Sequence, residues 1–149
     1  MRNLLLAIAP LLLFVSVQAQ DLPDGPNKQL FSDTCGGCHG ADVVIGQTGT
    51  KERWSDTVDQ MRARGAAGSD ADFEKIIAYL SKYFGPAVSI NKEAAKDLAT
   101  DLDITAAEAA AIVKYRTDKG NFKEWADLAK VTGLDVKKIE PLKGRIVFN

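Results

Sequence analysis

The chain has 149 residues and a net charge of −1. That length suits one ordinary domain or two small ones, and the absence of a strong basic excess speaks against a chain built mainly to bind nucleic acid. Two cysteines and one histidine are too few for a zinc site of four Cys or His ligands.

Residues 1–19 have the organisation of a secretory signal peptide. Arg2 gives a basic start, and Leu4 to Val17 is an apolar run interrupted by Pro10 and too short to span a membrane securely. Val17-Gln18-Ala19 is a small-residue cleavage site, so the mature chain is expected to start at Gln20. No second apolar segment long enough to span a membrane follows. The expected location is therefore the periplasm, with no stable membrane span after cleavage.

Asn27 to Thr34 reads as a short helix leading into Cys35-Gly36-Gly37-Cys38-His39. These are the only cysteines and the only histidine of the chain. Two cysteines three apart, with histidine directly after the second, form the attachment pattern of a c-type haem. The spacing aims both thiols at the vinyl groups of one porphyrin, and His39 is carried under the iron as its proximal ligand. Gly36 and Gly37 leave the backbone free to approach the macrocycle. A redox dithiol would call for alternating strands and helices, which are not visible, and a disulfide would leave His39 without a role. In bacteria such haem is attached outside the cytoplasmic membrane, so motif and export signal agree.

Thr50 can cap a helix to about Arg64 that carries Trp54, Val58 and Met61 as one apolar stripe. Met61, 22 residues after His39, is the only methionine besides the initiator. A thioether is the usual partner of histidine in electron-transfer cytochromes c, which makes Met61 the candidate sixth ligand. A lysine, or an open position for a small ligand, is the remaining option. Gly65 and Gly68 break the chain, and Ser69 with Asp72 forms a capping box for a helix through about Phe84. Its expected buried face is Phe73, Ile76, Ile77, Leu80 and Phe84. So small a domain has a marginal core, and haem would supply the missing apolar surface. The haem-free protein is accordingly expected to be largely unfolded.

Gly85-Pro86 separates two halves. Residues 21–85 carry seven Lys/Arg against ten Asp/Glu, and residues 86–149 eleven against ten. After an extended Val88-Ser89-Ile90, Asn91 is expected to cap a helix to about Asp101. Thr105 and Glu108 form a capping box for a helix to about Asp118, ended by Gly120. Phe122, Trp125 and Leu128 mark a third helix. Asp135 can cap a fourth, which Pro141 should kink or shorten. Leu98, Ile104, Ile112, Phe122, Leu128, Leu134, Ile139 and Ile146 are the expected core. The fold class is all-α, with residues 20–86 as a small helical haem domain and 87–149 as a compact four-to-five-helix domain.

Residues 31–86 resemble the small c-type cytochrome domains found alone or appended to periplasmic dehydrogenases. The matching residues are Cys35 to Gly40, Trp54, Val58, Met61, Arg64-Gly65-Ala66, Asp72, Ile77, Tyr79-Leu80 and Phe84-Gly85-Pro86. The resemblance implies that Met61 is the distal ligand. No proline closely follows His39, so the acceptor of its ring N–H is not readable. Residues 88–148 resemble the ComEA-type tandem helix-hairpin-helix domain of competence DNA receptors. The match runs through Ile90-Asn91, Leu98-Ala99, Ala109, Ile112, Tyr115-Arg116, Gly120, Phe122, Asp127-Leu128, Val131 to Leu134, Ile139, Leu142-Lys143 and Arg145-Ile146. In DNA-binding members each hairpin carries Gly-x-Gly, whose backbone N–H groups close on a phosphate. Here the first hairpin reads Asp103-Ile104-Thr105 and the second Gly133-Leu134-Asp135. Three of four glycines are gone, and two carboxylates stand where phosphates should bind.

The expected function is a periplasmic monohaem c-type cytochrome that carries single electrons and is not itself an enzyme. One covalent haem c would be held by Cys35, Cys38, His39 and Met61, with iron ligated by His39 and Met61. The expected partner is a periplasmic redox protein, a dehydrogenase or another cytochrome, docked through the C-terminal half, with nucleic acid disfavoured. The alternatives are a haem-based sensor of small ligands and a DNA-binding module with an attached haem.

Overall fold

A computed structural model describes residues 21–149; the expected signal peptide over residues 1–19 lies outside them. The described chain is mostly helical, as the all-α expectation requires. Helices α1 (Lys28–Cys35), α2 (Lys51–Ala63) and α3 (Asp70–Tyr83) make up the first half, with a 3-10 turn at Ala41–Val44. The second half holds strand β1 (Val88–Ser89), helices α4 (Ala95–Asp101), α5 (Ala106–Lys119), α6 (Trp125–Leu128) and α7 (Val136–Ile139), a 3-10 turn at Glu140–Arg145 and strand β2 (Ile146–Val147). No helix among the described residues is long and apolar enough to cross a membrane.

The local start signals form as the sequence dictates. Thr50 accepts the Arg53 backbone N–H at the head of α2, and Ser69 and Asp72 close a reciprocal capping box on α3. Thr105 and Glu108 do the same for α5, which stops at Gly120. Asp135 caps α7, and Pro141 converts its continuation into the 3-10 turn.

In the first half α3 is the central element and packs against both α1 and α2. Its buried side is Phe73, Ile76, Tyr79, Leu80 and Tyr83, with Phe84 just beyond. Ile77, expected in that face, is only half-buried, and Tyr79 and Tyr83 take the space. Tyr79 can go inside because its hydroxyl donates to the Pro23 carbonyl at 2.8 Å. Burial pushes its pKa up to about 12, with the neighbouring Tyr83 and Asp24 adding to the shift.

In the second half the expected core closes, with Leu98, Ile112, Leu128 and Ile139 fully buried and Leu134 half-buried. One expectation is corrected. Asn91 does not cap a helix, because α4 begins four residues later with Ala94 at its cap. The Asn91 side chain instead donates to the Phe122 and Phe148 carbonyls and accepts the Phe122 N–H, at 2.9, 3.1 and 2.9 Å. It ties the start of this half to the segment before α6 and to the chain end. Val88 pairs with Ile146 and Ser89 with Val147 in a short parallel ladder.

Arg145 joins the two halves. It is 6% exposed and has no carboxylate partner among the described residues. Its guanidinium donates to the carbonyls of Lys82, at the end of α3, and Pro86, and makes a longer 3.4 Å contact with Asp101, at the end of α4. The Lys82 and Asp101 carbonyls lie in the last turns of α3 and α4, where a cation is favoured. A Cβ on Gly85 would stand 2.8 Å from the Arg145 guanidinium carbon and 2.5 Å from the Ser81 carbonyl oxygen, so the chain needs glycine there.

Candidate functional site

The four residues singled out in the first half come together. Cys35, Cys38, His39 and Met61 line one cavity of about 320 Å³, whose walls include Phe31, Val44, Trp54, Val58, Phe73 and Leu80. That volume falls in the range of small-molecule pockets, and the walls are chiefly apolar. Three segments build it: the C-terminus of α1 delivers Cys35, the turn that follows delivers Cys38 and His39, and α2 delivers Met61.

Neither cysteine is in a disulfide; Cys35 is half-buried and Cys38 exposed. Burial raises the Cys35 thiol pKa. His39 is exposed, and its Nδ1 lies 3.1 Å from the Gly40 carbonyl. A carbonyl only accepts, so in this contact Nδ1 carries the proton and Nε2 is the ring nitrogen left to face a ligand. This supplies the acceptor that the sequence did not reveal. It is the next residue in the chain.

Met61 is half-buried one turn after Val58. Its backbone carbonyl receives the N–H groups of Arg64 and Ala66 at 3.1 and 3.0 Å as the chain turns through Gly65. That closed helix end fixes where the Met61 side chain starts. Trp54, at the head of the stripe, spends its indole N–H on the Phe84 carbonyl at 2.9 Å, which locks α2 to the end of α3.

In the second half the two hairpin turns sit at Asp103 and Gly133. Gly133 has φ +89 and Asp103 φ +52, the left-handed conformation that glycine adopts without cost. Asp103 keeps the turn and adds a carboxylate that pairs with Lys82 of α3 at 2.8 Å. The hydrogen bond and charge of Lys82 hold the Asp103 carboxyl below its ordinary value. The helix end behind this turn is also taken. Glu108 accepts the Thr105 N–H at 2.8 Å, makes a long 3.5 Å contact with the Asp135 N–H, and has Lys138 3.8 Å away.

A family model described as the helix-hairpin-helix motif matches residues 85–147. The second half is a helix-hairpin-helix unit. No curated protein and no solved structure matches the chain. Within the helix-hairpin-helix unit, Tyr115 stacks on Phe122 with ring centres 5.0 Å apart, and Lys143 lies over Trp125 at 5.4 Å. The residue that sequence reasoning missed is Arg145, visible beforehand only as part of a matching pattern and not as a buried clamp.

Proposed function

We propose that this protein is a monohaem c-type cytochrome of the periplasm that passes single electrons between redox proteins. The observation that carries the reading is the convergence of Cys35, Cys38, His39 and Met61 on one apolar cavity. The donor set fits the group: two thiols, an imidazole whose Nδ1 is engaged by the Gly40 carbonyl, and a thioether, all lining one cavity. Bound there, haem supplies an iron centre that gains and loses one electron. The chain's own residues do the rest. Cys35 and Cys38 tether, and the Gly40 carbonyl orients the His39 ring and raises its basicity as a ligand. Met61 offers a soft ligand that favours the reduced state, while Phe31, Trp54, Val58 and Phe73 keep water away.

The helix-hairpin-helix unit we assign to docking rather than to nucleic acid. Asp103 and Glu108 support this, because each places a carboxylate of the chain itself against a cation or amide that a phosphate would need. A protein partner of this unit, a periplasmic dehydrogenase or a second cytochrome, follows from the same reasoning.

The test uses the exported full chain and a Met61→Ala variant. The wild type is expected to show a low-spin c-type spectrum with a thioether-to-iron charge-transfer band and to bind carbon monoxide slowly when reduced. Met61→Ala should lose the band, bind carbon monoxide quickly and have a lower reduction potential. Rapid carbon monoxide binding by the wild type would instead favour a sensor of small ligands.

A further inference from the structure

We propose that Arg64 is the receptor for the carboxylate edge of the group held in the cavity, and so sets which way round that group sits. The inference rests on the haem reading above. Among the described side chains that line the cavity, Arg64 is the only lysine, arginine or carboxylate. The other titratable ones are Cys35, Cys38 and His39, which attachment and ligation would consume. Arg64 is exposed, at the mouth rather than in the depth. It also has nothing else to do. Arg53 donates to the Thr48 carbonyl, and Arg62 pairs with Asp59 and Asp70. The Arg64 guanidinium makes no hydrogen bond or ion pair among the described residues.

Its backbone is held all the same. The Arg64 N–H donates to the carbonyls of Gln60 and Met61 at 3.2 and 3.1 Å. Arg64 follows Met61 by three positions, the spacing that puts two side chains on one helix face. Thioether and guanidinium are thus presented together to one cavity. Haem is an apolar disc with two propionate carboxylates on one edge. Carboxylates cannot be left unpaired against apolar walls, so that edge must leave by the mouth. A planar guanidinium with free N–H groups there matches a carboxylate in a bidentate pair. Arg64 is a positioning residue in this account; it touches neither iron nor thioether bonds.

The experiment compares exported wild type with Arg64→Gln and Arg64→Lys by three readouts: covalent haem content, the propionate bending bands of the resonance Raman spectrum, and the midpoint potential. All three proteins should carry one haem with the same low-spin spectrum. Arg64→Gln should shift the propionate bending bands and lower the midpoint potential, because a cation near the iron has been removed. Arg64→Lys should restore most of the potential and only part of the Raman shift. Haem-loaded Arg64→Gln with wild-type propionate bands overturns the assignment of Arg64 alone. A wild type without haem overturns the haem reading and this inference with it.

Discussion

The two halves solve the same packing problem differently. In the helix-hairpin-helix unit, Leu98, Ile112, Leu128 and Ile139 are all fully buried against the chain's own side chains. In the first half, Phe31, Trp54, Val58, Phe73 and Leu80 are nearly as buried, yet all five also line a cavity of about 320 Å³. Apolar residues facing a cavity lose the dispersion contacts that stabilise a core, unless something fills it. The contrast also holds for polar groups. The second half uses its spare carboxylates on the polypeptide itself, Asp103 on Lys82 of α3 and Glu108 on Thr105. The first half leaves Cys35, Cys38, His39 and Arg64 turned to an open space. One half closes on its own side chains, and the other closes around a cavity.

The largest way to sharpen this contrast is to prevent attachment. In a Cys35→Ser/Cys38→Ser double variant, amide hydrogen exchange should show protection lost across α1, α2 and α3. Protection in α4 and α5 should persist, because their core needs no cofactor, so the unfolding expected of the haem-free protein is confined to the first half. Equal protection in both halves would mean that the cavity costs the first half little.

Next is the clamp between the halves. Arg145→Met removes a buried donor to three carbonyls and should lower unfolding stability by about 2–4 kcal/mol in denaturant titrations. Gly85→Ala should act in the same direction, since its Cβ would displace Arg145.

The smallest effects are expected at the first hairpin. Asp103→Gly loses an exposed ion pair worth under about 1 kcal/mol and relieves a left-handed aspartate, so its net stability change should be close to zero. The pair should also show in the pH dependence. The folded Asp103 pKa is depressed, so its contribution is present above the unfolded value of about 4 and fades as pH falls through the folded value. A stability difference between wild type and Asp103→Asn should therefore shrink toward acid pH. Wild-type protein should show no salt-dependent binding to duplex DNA by fluorescence anisotropy, and measurable affinity at moderate salt would reassign the unit.

Local chemistry made much of this legible from sequence. Thr50, Ser69-Asp72, Thr105-Glu108 and Asp135 announced their helices, because a cap is decided within three residues. The residues that line the cavity as a candidate site were legible for the same reason, with Cys35 to His39 contiguous and Met61 on a stripe. What escaped was long-range. Arg145 reaches Lys82 across 63 positions and Asn91 reaches Phe148 across 57, and neither pairing leaves a local pattern. The burial of Tyr79 depended on a carbonyl 56 residues earlier. The Gly40 acceptor was adjacent, but choosing it needs the turn conformation rather than the residue type.

The central claim is that Cys35, Cys38 and His39 hold a haem. Intact mass and pyridine haemochrome spectra of the full chain, exported from cells that mature c-type cytochromes, test it directly. The account predicts a mature protein heavier by one haem, no titratable thiols and a two-thioether haemochrome spectrum. A folded protein of bare polypeptide mass with two free thiols would contradict it.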